Sequence, residues 1–120
     1  MIRKLYAEFV KSRVKAGADI VQAITPDKAH LLHMVLGIAG EAGELVDAIK
    51  KHAIYNKPLD LENIVEEIGD IEFYLEGLRS SLVIYRSDIL EANMLKLNKR
   101  FGDKYSDAAA IARKDKEVRL

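Results

Sequence analysis

A chain of 120 residues is long enough for one domain with a modest apolar core. Nineteen basic residues balance nineteen acidic ones, which gives no global charge to attract a nucleic acid polymer or a membrane surface. The absence of cysteine excludes disulfides and thiolate metal sites and fits a reducing cytosol, so the expectation is a cytoplasmic protein.

The N-terminus, Met1 to Glu8, has no apolar signal core, and its periodicity predicts a first helix from about Ile2 to Lys15 with Leu5, Phe9 and Val10 turned inward. Thr25 has the chemistry of an N-cap. With Pro26 at the first helical position and Asp27 in the first turn, it predicts a helix from Pro26 to about His52. That helix contains the longest apolar stretch, Leu31 to Ile49. Glu41, Glu44 and Asp47 interrupt it, each costing about 3 kcal/mol at a bilayer centre, so it is not a membrane span. After a loop at residues 55–59, Asp60 caps a helix predicted over Leu61 to Arg79, with a break at Ser80 and Ser81. The next helix spans about Tyr85 to Phe101, with Ile89, Leu90, Met94 and Leu97 as its apolar side and Gly102 at its stop. Residues 103–120 form a polar tail, read as an arm or a last short helix. No stretch alternates in the manner of a strand. The expected fold is all-α, a bundle of four to five helices in one domain over residues 1–120.

Glu41 and Glu44 fall about 60° apart on one face of their helix, with His30, His33, Gly37, Ala48 and Lys51 on the same face. An apolar stripe of Met34, Ile38, Ala42, Leu45, Val46 and Ile49 runs beside them. The following helix repeats the pattern. Ile64, Ile68, Ile71 and Leu75 form an inward stripe, edged by Glu67 and Asp70 with Tyr74 beyond. One acid pair three residues apart is ordinarily a solvated surface feature. Two such pairs on consecutive helices, both beside apolar stripes, are less easily dismissed. Four unpaired carboxylates at a helix seam would cost several kcal/mol each to bury, and a hard divalent cation resolves that repulsion. All-oxygen ligands favour Mg2+ or Mn2+, ions that also neutralise phosphate charge and activate water. No Glu-x-x-His pair occurs, so the di-iron bundle pattern is missing. His30 and His33 lie two to three turns from Glu41, too far to share one ion, and are read as pocket-lining or packed histidines.

On the fourth helix Asn93, Lys96 and Arg100 share a face at i, i+3 and i+7, and the tail adds Arg113, Lys114 and Lys116. Cations near a metal site suit a polyphosphate, because they hold the oxygens that the metal does not. Glycines 37, 40 and 43 recur inside the second predicted helix at roughly 1 kcal/mol each relative to alanine, which suggests close packing or room for a ligand.

These residues resemble the MazG-like, all-α nucleoside triphosphate pyrophosphohydrolase superfamily, in particular its short single-domain phage and bacterial members. The resemblance is carried by Gly40-Glu41-Ala42-Gly43-Glu44-Leu45 and Glu66-Glu67-Ile68-Gly69-Asp70-Ile71, which match the family's E-x-x-E, spacer, E-x-x-D pattern. Asn93, Lys96 and Arg100 look like its downstream asparagine-lysine-arginine helix. The ending from Tyr105 to Lys116 resembles the tail of phage-type members, so the likeness covers about residues 28–116. The N-terminal part matches only loosely.

The resemblance implies a helical bundle that assembles as a dimer or a dimer of dimers. It implies Mg2+ or Mn2+ held by Glu41, Glu44, Glu67 and Asp70, and hydrolysis of a triphosphate to the monophosphate and pyrophosphate. Glu41 or Glu44 would orient or deprotonate the attacking water. Asn93, Lys96, Arg100, Arg113 and Lys114, with His30 and His33, would bind substrate. Purine deoxynucleotides such as dGTP and dATP are the substrates implied for a phage-type member, which would act in the host cytoplasm to control nucleotide pools. The alternatives are phosphoribosyl-ATP or dUTP as substrate, or a non-enzymatic helical interaction module whose acids are surface charges. Val65 and Phe73, apolar but off the core stripe, suggest cover by another subunit.

Overall fold

The computed structural model describes residues 1–116, and every regular element among them is helical. Six α-helices follow in order: α1 Ile2–Lys11, α2 Gly17–Ala23, α3 Pro26–Ala53, α4 Leu61–Leu82, α5 Arg86–Phe101 and α6 Asp107–Ala112, then a 3-10 turn at Lys114–Lys116. Within the described residues no helix is long and apolar enough to cross a membrane. The chain divides into two compact units, Met1–Tyr74 and the part from Leu75 onward.

In the N-terminal unit the long helix α3 starts as its sequence dictates. Thr25 Oγ1 accepts the Lys28 backbone N–H at 3.3 Å, and Pro26, which has no N–H to leave orphaned, follows it. Asp60 caps α4 in the same way, accepting the Asn63 N–H at 3.1 Å. On α3 the covered positions are Leu31, Met34, Gly37, Ile38, Glu41, Leu45 and Ala48, the three-and-four spacing of one helix face. On α4 Ile64, Glu67, Ile71 and Tyr74 are covered in the same rhythm. The two faces meet where Gly37 lies under the Tyr74 ring, so closely that a Cβ on Gly37 would overlap the ring carbons. The glycine is what lets the Tyr74 ring lie against α3.

Several expectations change. The first helix ends at Lys11 because the Ser12 hydroxyl and the Arg13 guanidinium both turn back onto the Phe9 carbonyl. The seven-residue α2 then begins at Gly17 with no side-chain cap, so nothing in the sequence announces it. Leu5, Phe9 and Val10 are exposed, as are Ala42, Val46, Ile49 and Ile68, all expected in apolar stripes. On α3 the best-covered residues are Met34 and Ala48; the part of the expected stripe nearest Glu41, Met34, Ile38 and Leu45, is covered, and its far edge, Ala42, Val46 and Ile49, is open.

In the C-terminal unit α4 continues through Ser80 and Ser81. Their hydroxyls are occupied locally, bonding to the Glu76 carboxylate and the Leu78 carbonyl at 3.0 Å each, so they support the helix they were expected to break. Val83, with φ of 53°, follows directly after α4. α5 ends at Gly102, whose φ of 64° suits a residue without a Cβ. Its expected apolar residues Ile89, Leu90, Met94 and Leu97 are exposed. The tail folds as α6, with Ser106 Oγ accepting the Ala109 N–H, and the 3-10 turn.

The Gly37 contact makes a direct prediction. Gly37→Ala should destabilise the protein by about 1–3 kcal/mol through overpacking. Gly69→Ala, with open space around the added carbon, should gain roughly 0.5–1 kcal/mol of helix stability. Denaturant unfolding of the two variants beside the parent checks both signs.

Candidate active site

Helix periodicity sets the site. Glu41 occupies a covered position of α3, between Ile38 and Leu45, and Glu67 occupies a covered position of α4, between Ile64 and Ile71. Asp70 lies three residues beyond Glu67, on the exposed edge of the same face. The result is convergence: one carboxylate oxygen from each of Glu41, Glu67 and Asp70 lies within 4.8 Å of the other two.

Three acids so close cannot all ionise cheaply. Glu67 takes the strain: its carboxyl is raised from the ordinary 4.5 to about 7, first through its hydrogen bond with Glu41 and then through burial and the charges of Glu41, Glu44 and Asp70. Two carboxyl groups can hydrogen-bond only by sharing a proton. The second oxygen of Glu67, Oε2, is buried without a hydrogen-bond partner. An orphaned, inward-facing carboxylate oxygen beside two further acids is the donor set of a hard divalent cation, so the residues fit such an ion. With no sulfur or imidazole in the cluster, the set suits a hard, oxygen-preferring cation rather than a softer metal.

The other sequence-derived candidates take distinct places. Glu44 is exposed one turn along α3 from Glu41, outside the converging three yet near enough to raise the Glu67 carboxyl. His33 is exposed, with its ring 6.1 Å from that of Tyr74, and His30 is exposed one turn earlier. Neither joins the acid cluster. In the C-terminal unit Asn93 and Lys96 are exposed on α5. Arg100 is half-buried and bound by Asp115, its Nε donating to Oδ1 at 2.8 Å and its Nη2 to Oδ2 at 3.0 Å. Arg113 is the left-handed C-cap of α6, and Lys114 lines a cavity of about 520 Å3 together with Lys99 and Arg100. Asp115 was missed by sequence reasoning. A single acid inside the run Arg113-Lys114-Asp115-Lys116 looks solvated, and no periodicity links it to a partner fifteen residues away.

The MazG nucleotide pyrophosphohydrolase domain matches residues 30–102, well over half of the chain. Both acid pairs, Asn93, Lys96 and Arg100 lie inside the matched segment, whereas Arg113, Lys114 and Asp115 lie beyond it. No curated protein and no solved structure matches the chain. A match over residues 30–102 makes the chain a member of the MazG nucleotide pyrophosphohydrolase family, a nucleoside triphosphate pyrophosphohydrolase.

Proposed function

We propose that the enzyme hydrolyses deoxynucleoside triphosphates, purine nucleotides such as dGTP and dATP first among them, to the monophosphate and pyrophosphate, and that it depends on Mg2+ or Mn2+ held by Glu41, Glu67 and Asp70 with Glu44 beside them. The observation that carries the metal reading is the convergence of three carboxylates, one of which, Glu67, also has an orphaned buried oxygen. When bound, the cation neutralises phosphate charge and lowers the pKa of a nearby water. The substrate reading rests on the resemblance of the tail and motifs to phage-type members.

The reaction breaks the bond between the α-phosphorus and the oxygen bridging to the β-phosphorus. Water adds its oxygen to the α-phosphorus in line with the departing pyrophosphate. Glu41 is engaged with Glu67, so the exposed Glu44 is the better acceptor for the proton that water gives up. The resemblance to the family supports Asn93, Lys96 and Arg100 as donors for phosphate oxygens and His30 and His33 as further substrate contacts. The exposed Leu36 and Val46 on α3, and Val65 and Phe73 on α4, suit cover by further copies of the chain in a dimer or tetramer. Sedimentation should give the corresponding mass, and a monomer at micromolar concentration would remove that part of the reading.

A panel of dGTP, dATP, dUTP and phosphoribosyl-ATP, assayed for pyrophosphate against phosphate release, decides the substrate class. Exclusive turnover of dUTP or phosphoribosyl-ATP would overturn the purine reading. Glu41→Gln and Asp70→Asn should each abolish pyrophosphate release in magnesium buffer with the helical circular dichroism unchanged, and full activity in either would sink the metal site.

The Glu67 carboxyl gives a pH test. Its folded pKa lies above its unfolded value, so the metal-free protein keeps a proton that the unfolded chain loses between 4.5 and about 7. Metal-free stability therefore falls as pH rises through that window. A cation must displace the same proton, so metal affinity rises with pH across it. Melting in Mn2+ against EDTA should show little stabilisation at pH 5 and a gain of about 2.7 kcal/mol at pH 8, if metal there is a hundredfold above its dissociation constant. Glu67→Gln should remove both the metal gain and the metal-free loss. A metal shift independent of pH would contradict the shared proton.

A further inference from the structure

The Arg100–Asp115 pair is more than a surface bridge. Two parallel bonds hold the guanidinium edge-on, and the Asp115 side chain is only 1% exposed against 18% for Arg100. Arg100 keeps Asp115 ionised, its carboxyl held at about 2, so the pair stays charged throughout the working range of pH. A guanidinium has five N–H donors, and this pairing uses two of them on one edge of the fork. Arg100 also lines the cavity of about 520 Å3, together with Lys99 and Lys114. Three cations against one carboxylate leave that cavity a formal surplus of positive charge.

The tail reaches this place by local structure. Ser106 caps α6, the left-handed Arg113 turns the chain, and the 3-10 turn at Lys114–Lys116 lies against α5. Lys114 precedes Asp115 directly, so the carboxylate that seats the turn on Arg100 also delivers Lys114 to the cavity.

We propose that Asp115 is a positioning residue: it fixes the Arg100 fork and docks the tail, and so assembles with Lys99 and Lys114 a binding cavity for a polyphosphate oxyanion. The proposal rests on the pyrophosphohydrolase reading only for the choice of ligand, which is either the phosphate chain of the substrate or the pyrophosphate released from it. Arg100 alone would present a mobile charge, whereas a seated fork with two lysines presents fixed donors at lower ordering cost.

Calorimetric titration of the full chain with inorganic pyrophosphate in EDTA tests this without engaging the acid cluster. The parent protein should bind. Lys114→Ala, which leaves the Arg100–Asp115 bond intact, should weaken binding about fivefold, and Asp115→Asn about tenfold or more, with Asp115→Glu recovering most of the loss. Steady-state kinetics then separate the two ligand sources. A KM for the triphosphate that rises by the same factor, with kcat within about twofold, assigns the cavity to substrate. Unchanged triphosphate kinetics assign it to free pyrophosphate. No pyrophosphate binding to the metal-free parent, or binding unchanged or tighter in both Asp115→Asn and Lys114→Ala, overturns the proposal. Loss of turnover in Glu41→Gln with normal metal-free binding leaves it standing, so the two readings fail separately.

Discussion

Mutual repulsion among carboxylates at the α3–α4 seam is the constraint around which the N-terminal unit is arranged. Glu41, Glu67 and Asp70 present oxygens within 4.8 Å of one another, and one Glu67 oxygen is buried with no partner. A protein tolerates such crowding only if a proton or a cation sits among the acids, because unpaired buried charge costs several kcal/mol. Without metal the Glu67 carboxyl is pushed up to about 7, first by its hydrogen bond with Glu41 and then by burial and the neighbouring acidic charges. The surrounding packing serves this convergence. The Tyr74 ring fills the notch at Gly37, and Met34 and Ala48 are covered on the same α3 face as Glu41.

Much of this was legible in the sequence because it depends on local periodicity and local chemistry. Thr25 with Pro26, Asp60 and Gly102 mark helix ends through hydrogen bonds or backbone angles that each residue type dictates. Acids three apart on a helix must share a face, so the two pairs could be placed without knowing the fold. What could not be read was how wide the inner face is. Met34, Ile38, Leu45, Ile64, Ile71 and Leu75 of the expected stripes are covered, yet Val46, Ile49 and Ile68 are open in this chain, and the small residues Gly37 and Ala48 complete the inner face of α3. Side-chain bonds that compete with the backbone also misled. Ser80 and Ser81 look like a helix break in sequence but bond back to their own helix, whereas Ser12 and Arg13 close α1 early on the Phe9 carbonyl.

The C-terminal unit shows a different limit. Asn93, Lys96 and Arg100 stand at helical spacing and are easily picked out, but spacing says nothing about what each is bound to. Arg100 spends one edge of its fork on Asp115, a residue outside the segment matched by the family. Its cationic neighbours Lys99 and Lys114 come together only because the chain turns at Arg113. Contacts across fifteen residues of irregular chain leave no periodic trace, so a partner of this kind is visible only in three dimensions.

The central claim is that the three acids hold a divalent cation. Anomalous scattering from crystals grown with Mn2+ tests it most directly. A peak enclosed by the carboxylates of Glu41, Glu67 and Asp70 is the predicted result, and crystals of active enzyme with manganese bound elsewhere and none among these acids would contradict it.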